Sequence, residues 1–226
     1  MQGLLVSATD TGVGKTILSA ALLAAMRAEG VQAIPHKPVL TGLQEQGPAD
    51  HEVLAEAAGV SPEDVAPLRY RPALSPHLAA ELSGGPPIDP AALLAAARDA
   101  GGEGDVVVVE GVGGLMTPLA EHYTVCDFAA QLGLPLVIAA RPGLGTINHS
   151  LLTLAAARAA GLDARAVVLT PWPQEPSVLE RSNRETIARM GGVDVTGLER
   201  VDTTQPELER AGSRLPWREW LAVGTS

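Results

Sequence analysis

Gly3-Leu4-Leu5-Val6-Ser7-Ala8-Thr9-Asp10-Thr11-Gly12-Val13-Gly14-Lys15-Thr16 is the stretch from which the fold can be read. Residues 3–8 are an apolar run of strand length, and residues 16–29 are rich in alanine and leucine up to the helix-ending Gly30. Between them lies a glycine-containing loop that closes on Gly-Lys-Thr. Strand, loop and helix in this order form a P-loop, whose backbone N–H groups and helix N-terminus favour anionic phosphate. Gly14 lets the backbone close in, Lys15 reaches the outer phosphates, and the Thr16 hydroxyl can hold Mg²⁺. Thr11, Gly12 and Val13 complete the nucleotide-binding loop. The usual spacing puts the first glycine where Thr9 stands, so the loop is a variant.

Outward from this loop, β-rich runs alternate with helical ones. Strands are expected at 31–34, 105–109, 136–139, 166–169 and 194–195, and helices at 50–58, 77–83, 90–100, 124–132, 147–160 and 177–190. Ser61-Pro62 reads as a further helix start with proline at its first position. The proline-punctuated segment 67–76 reads as a surface connection. Strands alternating with helices predict an α/β fold, a mostly parallel central sheet with helices on both faces, formed by residues 1–226 as a single domain. Ligands of such sheets bind beyond the carboxyl ends of the strands.

Composition narrows the function. A net charge of −10 argues against general nucleic-acid binding, which needs a basic face. The chain has one cysteine, Cys126, no basic leader and no apolar run of transmembrane length, so a cytoplasmic protein without membrane attachment is expected. Of 16 basic residues only Lys15 and Lys37 are lysines, which sets both apart from the arginine-decorated surface. Lys37 follows the second expected strand, and Pro38 biases it toward an extended conformation. Glu110 ends the valine run 106–109, the pattern of a Mg²⁺-organising carboxylate beside a P-loop, and Gly111, Gly113 and Gly114 let a ligand approach the backbone. Asp50 reads equally as a helix N-cap or a metal ligand. His77 and His149 belong to no cluster with metal-like spacing. The three tryptophans, Trp172, Trp217 and Trp220, read as packing groups toward the C-terminus.

Taken together, these motifs resemble the dethiobiotin synthetase family. The resemblance is carried by residues 8–16, by Lys37-Pro38-Val39 with Thr41-Gly42, and by Ser75-Pro76-His77. Val109-Glu110-Gly111 with Gly113-Gly114, and Gly143-Leu144-Gly145-Thr146-Ile147-Asn148-His149, complete it. It implies an ATP-dependent ligase. A carbamate forms from CO₂ or bicarbonate and one amine of 7,8-diaminopelargonate, ATP phosphorylates it, and the second amine closes the cyclic urea. It further implies Thr16, Asp50 and Glu110 around Mg²⁺, with Lys15, Lys37 and Thr11 as catalytic groups. Lys37, Thr41 and Gly111 would contact the substrate, and Gly145, Thr146 and Asn148 would receive its carboxylate across a homodimer interface. The chain departs from the family pattern at Ala8, a glycine in the family, and at Thr170, where the family has an asparagine that reads adenine. It also departs at 199–202, where an Ile-Pro segment is usual. The alternative is a partitioning-type ATPase switch. That class carries a lysine five positions before the P-loop lysine, where this chain has Asp10.

Overall fold

The computed structural model describes residues 1–43, 48–102 and 106–222. In chain order the elements are β1 (Gln2–Ala8), α1 (Lys15–Ala28), β2 (Ala33–His36), β3 (Val39–Thr41), α2 (Asp50–Ala58), α3 (Pro62–Val65), β4 (Leu68–Tyr70), α4 (Pro76–Leu82) and α5 (Pro90–Ala100). They continue with β5 (Val106–Glu110), β6 (Pro118–Ala120), β7 (Tyr123–Thr124), α6 (Val125–Leu132), β8 (Leu136–Ala140), α7 (Thr146–Ala159) and β9 (Ala164–Trp172). The last four are α8 (Val178–Gly191), β10 (Asp194–Glu199), α9 (Gln205–Gly212) and α10 (Trp217–Leu221).

Among the described residues the central sheet has six strands in the order β10-β9-β8-β1-β5-β2, and every pairing in it is parallel. Alternation along each strand splits the core into two layers. Leu4, Val6 and Ala8 face one layer with Val106 and Val108, where α1, α2, α9 and α10 pack. Leu5 faces the other with Val107 and Val109, beneath α5, α6, α7 and α8. The nearly unbroken apolar strands follow from this covering on both faces, since neither side meets water.

The structure corrects several expectations. The second strand runs over Ala33–His36, two residues later than the expected 31–34. The segment 67–76 contains β4, which pairs in parallel with β3; three-residue strands are too short for alternation to reveal. Asp50 is the first residue of α2 and not its cap: Ala49 takes the cap position and Glu52 bonds back to its N–H. Asp105, expected to open the 105–109 strand, lies outside the described residues. The antiparallel pair β6–β7 and the helices α9 and α10 had no counterpart in the sequence reading.

The helix α9 lies so close to α1 that a Cβ on Gly212 would stand 1.9 Å from the Ala21 carbonyl oxygen and 2.9 Å from the Ala25 Cβ. Backbone cannot yield as a side-chain tip can. Gly212→Ala is therefore expected to lower stability by about 3 kcal/mol, the upper range of core overpacking, checked by urea denaturation. Unchanged stability would mean that the two helices do not touch there. Trp217 and Trp220 are buried in the same layer.

Candidate functional site

The carboxyl ends of β1, β2 and β5 bring the polar residues together. The loop after β1 leads into α1 with Gly14 at its cap position, φ 99°. This left-handed conformation suits glycine. There is also no room for a side chain, because a Cβ on Gly14 would meet Thr170 Cγ2 at 2.8 Å. Lys15 is buried and its Nζ donates to the Asp10 carbonyl at 3.4 Å, which folds the ammonium back over the loop. Burial pulls the Lys15 ammonium below the ordinary lysine range, with Glu110 partly opposing it.

Lys37 is the centre of the arrangement. It emerges directly after β2, only 2 % exposed, and its Nζ donates to Glu110 Oε1 at 2.5 Å and to Asp50 Oδ2 at 2.7 Å. Burial opposes its charge, but the Glu110 and Asp50 carboxylates outweigh that cost and hold the ammonium above its usual range. Lys37 is thus a fixed cation and not a proton acceptor. Burial likewise acts against the Asp50 carboxylate, and Lys37 more than compensates, holding it below the ordinary range. Thr16 Oγ1 donates to Glu110 Oε1 at 3.1 Å. One buried carboxylate therefore links both halves of the site, although the residues lie 94 and 73 positions apart in sequence.

These groups face a cavity of about 930 Å³ lined by Thr11, Gly12, Gly14, Lys15, Thr16, Lys37, Thr41 and Asp50, with Ser75, Pro76, Val112, Gly113 and Thr117 opposite them. Val13 packs into the core instead, Glu110 lies behind Lys37 and Thr16, and Gly111 follows Glu110 with its N–H bonded to the Val6 carbonyl. Thr170 is buried against Gly14 and does not line the cavity. Gly145, Thr146 and Asn148 form the start of α7, apart from the cavity; Thr146 is buried within hydrogen-bond reach of Ser150, and Asn148 is exposed. A second cavity of about 420 Å³ is lined by Thr11 and Thr117 on one side and Leu152 and Thr153, in the middle of α7, on the other; Gly145, Thr146 and Asn148 do not line it. The sequence reading had not placed Thr117 in the site. Its hydroxyl accepts the Gly114 N–H at 2.9 Å and fixes the turn after Glu110, a role no motif spacing reveals.

The donor set fits a divalent cation. Glu110 Oε2 is buried without a hydrogen-bond partner, an oxygen that a cation would satisfy. Thr16 and Asp50 offer the hard oxygens that Mg²⁺ prefers. Among the described residues there is no group of three His, Cys, Asp or Glu arranged for a metal. His77 and His149 are exposed and outside the cavity. Cys126 is buried in the core, where burial pushes its thiol up.

His36, next to Lys37, is buried with Nε2 unpartnered, and burial lowers its pKa from 6.5 to about 4. Between these values the unfolded chain holds a proton that the folded one excludes, so stability falls as pH drops through this window. Roughly 3 kcal/mol is lost by its lower end. A His36→Gln variant is expected to show a flatter fall in urea midpoint over this range; an unchanged slope would assign the titration elsewhere.

Comparison with known proteins now adds to the geometry. A model of the AAA domain matches residues 2–205. An ATP-dependent dethiobiotin synthetase BioD of Rhodococcus jostii is 41% identical over 198 residues, covering 87% of this chain and 85% of the relative. The chain belongs to the dethiobiotin synthetase family. Relatives of the same name from Anaeromyxobacter sp. strain Fw109-5 and Mycobacterium sp. strain KMS are 40% and 34% identical, the latter covering 98% of this chain and 99% of its own length. Among solved structures, apo McdA from Cyanthece superposes with a TM-score of 0.57 at 12% identity, covering 97% of this chain and 95% of its own. A ParA family ATPase from Chlorobium tepidum gives 0.55 at 12% identity, covering 94% and 90%. At such identity these two share the fold alone. Among the described residues no helix is long and apolar enough to cross a membrane.

Proposed function

We propose that this protein is an ATP-dependent ligase that closes the ureido ring of dethiobiotin from 7,8-diaminopelargonate and CO₂. The observation that carries the reading is the Lys37 ammonium, buried and protonated at the junction of the phosphate loop and the Glu110 carboxylate. Phosphoryl transfer to a carbamate oxygen needs fixed positive charge around both reacting anions and little covalent help. Lys15 supplies it on the nucleotide side, and Lys37 on the acceptor side. The Thr11 and Thr41 hydroxyls line the same cavity and can hydrogen-bond the carbamate. Thr16, Asp50 and Glu110 would hold Mg²⁺, which when bound offsets phosphate charge. Gly145, Thr146 and Asn148 of a partner subunit would receive the substrate's carboxylate, at the start of α7, where the free backbone N–H groups of a helix favour an anion.

The chemistry runs in order. An amine of the substrate adds to CO₂ and loses a proton, giving a carbamate beside Lys37. A carbamate oxygen takes the terminal phosphoryl group of ATP, releasing ADP. The second amine attacks the activated carbon, and phosphate leaves as the ring closes. The test is purified protein with 7,8-diaminopelargonate, bicarbonate, Mg²⁺ and each nucleoside triphosphate in turn. Dethiobiotin with at least one nucleotide is expected. None with any would refute the ligase reading, and ATP hydrolysis stimulated by DNA or lipid would favour a switch ATPase instead. Thr170, with its hydroxyl against the loop, offers no amide pair to read adenine, so turnover with more than one base is expected in this assay.

A further inference from the structure

The phosphate loop has a third cationic neighbour that the family motifs leave aside. Arg141 follows β8, the strand beside β1 on the side away from β5, and therefore stands at the ligand end of the sheet. Its Nη2 donates to the Thr11 carbonyl at 3.3 Å and would lie 3.7 Å from a Cβ on Gly12. The side chain is exposed and pairs with no carboxylate among the described residues.

The charge around the loop gives this contact its meaning. Lys37 is matched by Asp50 and Glu110, and Lys15 lies within the field of Glu110, Asp50 and Asp10. Two ammoniums thus face three carboxylates, a site with no positive surplus for a triphosphate that brings several negative charges. A bound divalent cation would supply part of the difference. Arg141, held at the Thr11 carbonyl of the loop, is a cation without a carboxylate partner among the described residues. A guanidinium also suits the task, because its planar fork meets two phosphate oxygens at once and keeps its proton throughout.

We propose that Arg141 is a phosphate-binding residue that grips the terminal phosphoryl group of the nucleotide from the Thr11–Gly12 side of the loop. This deepens the ligase reading and rests on it for the identity of the acceptor. During transfer the carbamate oxygen forms a bond to the terminal phosphorus while the bond to the bridging oxygen breaks, and that oxygen leaves on ADP with the electron pair. Arg141 donates hydrogen bonds to the equatorial oxygens, loses no proton and forms no covalent bond. Its hydrogen bond to the Thr11 carbonyl holds the guanidinium beside the loop.

The experiment is calorimetric titration of the wild-type protein, Arg141→Met and Arg141→Lys in Mg²⁺ with ADP and with the non-hydrolysable β,γ-imido analogue of ATP. Arg141→Met is expected to weaken the triphosphate analogue about 10- to 100-fold, the loss of a charge-assisted contact, and to leave ADP within about threefold. Arg141→Lys keeps the charge without the fork and should recover part of the loss. Unchanged binding of the triphosphate analogue, or an equal loss for both nucleotides, overturns the proposal. A rise in the KM for 7,8-diaminopelargonate with both nucleotide affinities unchanged also overturns it and moves Arg141 to the substrate. The binding ratio does not depend on turnover. A wild-type protein that binds the analogue tightly but makes no dethiobiotin would defeat the ligase reading while still deciding the role of Arg141.

Discussion

Lys37→Ala is expected to lower turnover by about 10²–10³-fold while leaving nucleotide affinity within a few-fold, like the loss of other preorganised electrostatic groups. The geometry adds a second effect. Lys37 is the ion-pair partner of a fully buried carboxylate, Glu110, and its removal leaves that charge with one hydrogen-bond donor, the Thr16 hydroxyl, and the more distant Lys15 ammonium. Breaking a buried pair from one side costs about 3–5 kcal/mol, so the variant should also unfold at lower urea. The two effects separate in a double variant. Lys37→Ala combined with Glu110→Gln removes both charges and should regain most of the stability, yet none of the turnover. Near-normal turnover in Lys37→Ala would sink its assignment to the acceptor side, whatever its stability.

The second large effect belongs to Glu110. Glu110→Gln keeps the shape and removes the charge that holds Lys37 and receives the Thr16 hydroxyl. Lys37 retains Asp50 at 2.7 Å, so the stability cost should sit near the lower end of the buried-pair range, about 3 kcal/mol. Turnover at ordinary Mg²⁺ should fall by at least about 10²-fold. If Glu110 organises the cation, the Mg²⁺ concentration giving half-maximal activity should rise by at least about 10-fold. A turnover defect with an unshifted Mg²⁺ dependence would leave Glu110 as the orienting partner of Lys37 alone, and would pass the metal role to Thr16 and Asp50.

Much of the site was legible because its residues stand in local patterns. Glycines, Lys15 and Thr16 act within one loop of nine residues, 8–16, so spacing along the chain is spacing in space. Lys37 and Glu110 could be singled out because each ends a strand, and the ends of parallel strands gather on one side. Asp50 could not be resolved in this way. A carboxylate at a helix start reads the same whether it caps the helix or faces a cation, and its Lys37 contact spans two elements. Arg141 also follows a strand, but it is one arginine among many on an arginine-decorated surface, and only the placement of β8 beside β1 brings it to Thr11.

The same division runs through the fold. By itself the sequence determined the alternation of strands and helices, the parallel sheet and the phosphate loop, since periodicity and glycine placement act over a few residues. It did not determine the strand order, the β3–β4 pair, or the seating of α9 against α1 through Gly212. Those rest on long-range packing, in which each residue's role depends on partners far along the chain. The triphosphate loop was therefore readable from fourteen consecutive residues, 3–16. The charge balance that gives it a reaction, with Lys37 held between Asp50 and Glu110, exists only once β2, α2 and β5 have been folded onto one another.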